Sequence, residues 1–285
     1  MDKNNEKFVL VKITDKQWAD RLLDGEVFMR PLLEFGSGKI VNRDLYEKDW
    51  GTLQNHFRGD VLEGVFETFK DCKSAAKRYG LPDDLVNVIS NFYLVDVGEV
   101  QYFKLFSLYA LLYDNVQKQF LKPDEQLHQF GDTAVVFTDF EEFLRRFANS
   151  LGEAKYLFFM DLIKYYKMFE DAKFPPLFYK HNSYSWQNEF RLAFSELVKD
   201  IDINENNKNR PYKMVMNRDR RAFKIGSIRD IAYEIPIKDF LDLKVPIRAK
   251  LNFVHGNSAF SKIVQDTQRE MGIYTTKEFT IGLTL

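Results

Sequence analysis

The chain has 285 residues, enough to bury a core without metals or disulfides, and its 41 basic and 42 acidic residues leave a formal net charge of −1. That balance excludes a global electrostatic pull toward nucleic acid or membrane, so any such contact has to be local. Cys72 is the single cysteine, which rules out an internal disulfide, leaves no second cysteine for a zinc site and fits a reducing cytoplasm.

The opening "MDKNNEK" carries acids and no apolar stretch, so it is not read as a signal peptide. Residues 8–13 read as a buried strand. Asp15 then caps a short helix with Trp18, Ala19, Leu22 and Leu23 on one face, and Gly25 suits its end. A second strand starts at Val27 and stops in the turn "FGSG". Residues 37–64 are polar and irregular, and 65–92 read as helical with a break at "YGLPDD". The β-rich "VQYFKLFSLYALL" suits a central strand. "FGDTAVVFTDFEEFLRRFANSLG" gives a short buried strand, an Asp139 cap and an amphipathic helix carrying Phe140, Phe143, Leu144 and Phe147.

"KYLFFMDLIKYY" reads as another strand, and "PPLFYKHNSYSWQNEFRLAFS" as a turn into a long one. "DINENNKNRP" is a loop, and "AFKIGSIRDIAYEIP" gives a strand, a glycine turn and a short helix or strand. The tail adds a helix near 258–270 and a last strand, "EFTIGLTL". The two most apolar windows, "YFKLFSLYALLY" and "KYLFFMDLIKYY", fall short of the roughly 20 residues a bilayer span takes, so no membrane association is expected and the protein is placed in the cytoplasm. Strands and helices alternate without regular βαβ spacing. The expected fold is therefore α+β, a single domain over 1–285 built on a mixed or mostly antiparallel twisted sheet with flanking helices. A helical or loop insertion at 37–95 and a helix-strand extension at 246–285 are expected within it.

Three constellations could carry chemistry. In the first, strand alternation puts Gln187, Glu189 and Arg191 on one face and Trp186, Asn188, Phe190 and Leu192 on the other. A glutamate fixed on a strand can stabilise positive charge developing beside it, and a neighbouring arginine can orient it or bind an anion. The plainer reading is an ion pair on a surface strand. In "RGDVLEG", Arg58, Asp60 and Glu63 could converge around Gly59 and Gly64, or simply brace their own loop. The third is the basic window Lys208–Lys224, where Arg218, Arg220 and Arg221 with Tyr212 and Phe223 suit phosphate or nucleic acid, or a solvated hairpin.

The four histidines lack metal-ligand spacing, and no GxGxxG, GxxxxGK[ST] or GxSxG string occurs, so no metal site is expected.

The strings "VFMRPLLEFG", "RGDVLEG", "FSLYAL", "FGDTAVVFTDFEEFLRR", "PLFYKHNSYSWQNEFRL" and "FKIGSIRDIAYEI", spread over most of residues 8–240, resemble a group of bacterial proteins of unassigned function. "YSWQNEFR" is the most specific. More remotely, the order of elements resembles the ADP-ribosyltransferase-like superfamily, in which a first strand holds NAD through His or Arg, a second lines the nicotinamide pocket, and a later strand presents a catalytic Glu in a Q-x-E or E-x-E string.

That resemblance implies NAD as substrate, with Glu189 and Gln187 as catalytic residues. Lys12, Thr14, Arg30 and Arg191 would bind the cofactor, and Arg218, Arg220 and Arg221 a nucleic-acid acceptor. Lys12 and Thr14 stand where the superfamily carries His or Arg, and the second strand lacks the Ser-Thr-Ser string of some members. The resemblance further implies a toxin-like or phage-defence enzyme that modifies nucleic acid or protein and is paired with a neutralising partner such as an antitoxin. The alternative is a non-enzymatic module of such a system that contacts its partner through aromatic and basic surfaces. A metal-dependent nuclease built on Asp60, Glu63 and Glu189 ranks last.

Overall fold

The computed structural model describes residues 7–32, 65–88, 93–95, 102–151, 155–167, 170–173, 176–199, 212–214 and 221–253. In chain order the elements are β1 (Lys7–Thr14), α1 (Lys16–Leu23), β2 (Glu26–Pro31), β3 (Val65–Thr68), α2 (Cys72–Arg78), α3 (Asp83–Val88), β4 (Tyr93–Val95), β5 (Lys104–Asp114) and β6 (Gln119–Phe120). A 3-10 helix over Glu125–Phe130 leads to β7 (Thr133–Phe137), α4 (Phe140–Ser150), β8 (Lys155–Leu162), β9 (Lys164–Tyr166), β10 (Ala172–Lys173) and β11 (Tyr179–His181). A second 3-10 turn over Asn182–Gln187 precedes β12 (Glu189–Lys199), β13 (Tyr212–Met214), β14 (Arg221–Lys224), β15 (Ala232–Pro236), α5 (Ile237–Leu241) and β16 (Asn252–Phe253). The protein is mixed α/β, with one large, mostly antiparallel sheet and a few helices.

Contacts divide the chain into two compact units, one from Met1–Pro31, Tyr102–Leu162 and Trp186–Thr275, the other from Leu32–Gln101, Ile163–Ser185 and Thr276–Leu285. In the first unit the sheet runs β13-β12-β5-β1-β7-β15, with β8 on the far edge of β12 and β14 on β2.

The sheet is apolar on both faces because its central strands alternate between two cores. Phe8, Leu10, Phe106, Leu108, Val135, Phe137, Phe190, Leu192 and Phe194 turn to one side, where Ala19, Leu22 and Leu23 of α1 and Phe140, Phe143 and Phe147 of α4 cover them. Rings supply much of that packing: Phe143 lies 4.9 Å from Phe137 and 5.2 Å from Phe140, centroid to centroid. Val9, Val11, Tyr109, Leu111, Ala134 and Val136 turn to the other side, under Phe240 and Leu241 of α5 and a partly buried row of Leu243, Val245, Ile247, Ala249 and Leu251.

Asp139 caps α4 by accepting a hydrogen bond from the backbone N–H of Glu142 (3.2 Å). Asp15 occupies the α1 N-cap without a side-chain bond to the helix. The exposed first-turn N–H of Lys16 instead donates to Asp132 from a distant loop, at 2.8 Å. Trp18 does not share the buried face of α1: it is exposed and stacks on Phe28.

In the second unit, β10, β3 and β4 form a small antiparallel sheet, and β9 pairs with β11 in parallel. This corrects the helical reading of 65–92. The stretch opens on strand β3, and among its described residues the helices are confined to 72–78 and 83–88. The β-branched and aromatic "VFET" outweighs the local helix signal there. The expected tail helix and last strand, the loop 202–211 and the 37–64 segment lie outside the described residues.

Candidate functional site

The site grows from a fork in the sheet. Strand β1 pairs with β5 as far as Val11↔Tyr109 and no further, while its opposite edge pairs β7 from Val11↔Val136 to Thr14↔Thr133. The same edge of β5 is taken up by β2 only at Arg30↔Leu105 and Pro31↔Lys104. Phe106, Ser107 and Leu108 fall between these two ladders. Ala110 turns its N–H toward β12, donating to the Asn188 carbonyl at 2.8 Å. By alternation Ser107 turns its carbonyl the other way, into the fork.

A ladder carbonyl left there needs a donor. Lys12 supplies it: its Nζ donates to the Ser107 carbonyl at 2.8 Å and lies 5.0 Å from the Phe106 ring centroid. Burial pushes the Lys12 ammonium down to about 8, with Glu189 pulling it up and Arg30 pushing it further down. Arg30 is exposed and, among the described residues, takes no hydrogen bond or ion pair.

Across β5, strand β12 presents Glu189 opposite Tyr109 and Arg191 opposite Ser107. Both point to the face of Val11 and Tyr109, and Arg191 Nε donates to Glu189 Oε1 at 2.7 Å. The surface ion pair of the plainer reading is therefore a buried one. Arg191 is 0% and Glu189 6% exposed. On the far edge of β12, Asp161 of β8 stands opposite Arg191. Lys12 in the fork thus feels the charges of Arg30 on β2 and of Glu189 on β12, the latter held by Arg191 on the far side of β5. Such a set can grip an anion and steady a developing positive charge beside it.

Gln187 is not on the strand. It ends the 3-10 turn, buried, and the strand begins two residues later. The cause is Asn188, which adopts a left-handed φ of +36°. Asn tolerates that conformation, and its side-chain amide donates to the Ala110 carbonyl while its own carbonyl accepts from Ala110 N–H. Asn188 thus keeps the β12 register with β5 but turns Gln187 out of the alternating row.

Thr14 sits at the far end of β1, paired with Thr133. Arg221 belongs to β14, and its Nη1 donates to Glu196 Oε2 at 2.6 Å. Arg218, Arg220, Arg58, Asp60 and Glu63 lie outside the described residues. Among the described residues no group of three or more His, Cys, Asp and Glu side chains gathers, and no helix is long and apolar enough to cross a membrane.

Ser107 and Asn188 escaped the sequence reading. Ser107 acts through its backbone carbonyl, which no side-chain pattern reveals. Asn188 left one usable signal, an Asn directly before a strand, where a left-handed residue is at home.

Comparison of the chain with protein-family models, with curated proteins and with solved structures found no match.

Proposed function

We propose that the fork between β1 and β2 is the NAD site of an ADP-ribosyltransferase-like enzyme, and that the large sheet belongs to that fold. Glu189 is the carboxylate that stabilises the ribosyl cation as nicotinamide leaves, held in place by Arg191, with Gln187 orienting the sugar. Lys12 and Arg30 take the pyrophosphate, and Thr14 extends the same strand. The acceptor is a nucleic acid or a protein. A toxin-like or defence role with a neutralising partner follows from the same reading.

One observation carries this proposal: a buried carboxylate on a central strand, ion-paired to Arg191 and within electrostatic reach of Lys12 across β5. Nicotinamide release from NAD by the purified chain tests it. Release is expected from the wild type and should fall to background in Glu189→Gln, assayed under conditions where circular dichroism shows that variant folded. Equal release by the folded variant would refute the assignment.

A further inference from the structure

Helix α5 does not end on the residue its geometry favours. The Leu243 N–H donates to the Phe240 carbonyl at 3.1 Å and the Lys244 N–H to the Asp239 carbonyl at 2.9 Å. These are the paired bonds of a helix end whose turning residue is left-handed and most often glycine. Here that residue is Leu243, at φ +51°, a conformation disfavoured for a leucine by roughly tenfold. Its side chain holds it there by packing on the second core.

From this hinge the chain runs out over that core with the period of two of an extended segment. Leu243, Val245, Ile247, Ala249 and Leu251 turn inward and pack on the core, while Asp242, Lys244, Pro246, Arg248 and Lys250 are exposed. Yet residues 244–251 pair with no strand among the described residues. The Lys250 N–H donates to the Thr138 carbonyl at 2.9 Å, the Arg248 N–H donates to the Tyr233 hydroxyl at 3.0 Å, and the Lys250 ammonium pairs with Asp139. The far end is tied by β16 to Lys7 and Phe8. An apolar segment thus packs as a core element while it hangs from one strained residue.

Such packing is set by the segment's sequence, and an identical segment from another copy satisfies it equally well. We propose that residues 243–253 form an exchangeable strap, and that the surface beneath it, built on Val9, Val11, Leu111, Val136 and Phe240, takes the same strap from a second copy of this chain in a reciprocal dimer. Opening straightens the hinge and releases Leu243 from its left-handed conformation. That favours exchange by about tenfold per hinge, or about a hundredfold for the two hinges of a dimer, against the freedom of motion lost on association. The covered face is the one that carries Glu189, which stands opposite Tyr109 of the same core. In the dimer each copy completes that face for the other. The inference stands on the hinge and the strap and does not depend on NAD being the substrate.

The test refolds an equimolar mixture of isotopically light and heavy full chains from urea at high concentration and separates monomer from dimer by gel filtration with light scattering. A zero-length carbodiimide then couples the exposed Lys250 amine to its partner Asp139, and peptide mapping by mass spectrometry reads the links. Links joining a light to a heavy peptide are expected in the dimer, and same-isotope links in the monomer. Leu243→Pro, whose ring excludes a φ of +51°, should be dimeric at concentrations where the wild type is monomeric. Leu243→Gly and Leu243→Ala both lose the side chain, but only glycine loses the left-handed penalty. The glycine variant should therefore dimerise up to about a hundredfold more weakly than the alanine variant, and this pair decides should the proline variant not fold. A wild type that stays monomeric after concentrated refolding, equal dimerisation of the glycine and alanine variants, or a dimer whose Lys250–Asp139 links are all same-isotope would overturn the proposal.

Discussion

Replacing Glu189 with glutamine removes one charge from a pair whose other member, Arg191, has no exposed surface. At the observed 2.7 Å and an effective dielectric of about 20, the gross Coulomb attraction is about 6 kcal/mol. The glutamine carbonyl can still accept from Nε, which retains about 1 kcal/mol. What remains falls in the roughly 3–5 kcal/mol range typical of removing one charge from a buried pair. Urea denaturation of wild type, Glu189→Gln, Arg191→Met and the double variant measures it as a double-mutant cycle. Each single change is expected to cost about 3–5 kcal/mol, and the double variant at least about 2 kcal/mol less than their sum. Single costs below about 1 kcal/mol, or additivity within about 0.5 kcal/mol, would refute the reasoning. A glutamine at 189 is therefore not a silent probe of catalysis, and any activity assay with it has to report the folded fraction.

Other outcomes follow from the same geometry. Because Lys12 titrates at about 8 when folded and 10.5 as a free side chain, the unfolded chain holds its proton more tightly. Stability from this group is flat below the folded value and rises with pH up to the unfolded one, by at most about 3 kcal/mol. The stability gap between wild type and Lys12→Met should shift toward wild type by that order between pH 8 and 10.5, and a gap independent of pH would contradict it. Gly25→Ala should be severe and Gly80→Ala mild, although both sit at positive φ. A Cβ at Gly25 would lie 1.9 Å from the Gly226 carbonyl oxygen, whereas Gly80 faces open space. Thermal midpoints should separate the two, with Gly80→Ala costing only the roughly 1–2 kcal/mol of the left-handed backbone. Asn188→Gly, which keeps the conformation but loses the amide bond to Ala110, should cost about 1 kcal/mol. Asn188→Val should cost more, because a β-branched residue resists that φ, and equal chemical denaturation of the two would argue against the strain.

Local periodicity made much of the first unit readable. The apolar run at 8–13, the helix face at 140–147 and its Asp139 cap all depend on neighbours a few residues away, where sequence spacing maps directly onto structure. Trp18 shows the limit. It lies on the right helical arc, yet Phe28 and Arg21 meet it at the surface instead of the core. Alternation placed Glu189 and Arg191 on one face but could not say what covers that face, so it could not tell a solvated ion pair from a buried one. It failed at Gln187 because a single left-handed residue, Asn188, breaks the period of two. The fork itself was out of reach. It exists because β1 leaves β5 after Val11 and β2 joins β5 only at Arg30, and its central bond joins Lys12 to Ser107, 95 residues apart. Nothing in either segment alone announces that meeting.

The central claim is that the fork holds NAD. Its most direct test is the thermal midpoint of wild type and Arg30→Ala with and without millimolar NAD, since a ligand bound only by the folded state adds stability. At a hundredfold excess over Kd the gain is about 2.7 kcal/mol, roughly 5–10 °C for a domain of this size. A rise of that order in wild type, much reduced in the exposed Arg30→Ala variant, is the expected result. An unmoved wild-type midpoint with both NAD and ADP-ribose would contradict the claim.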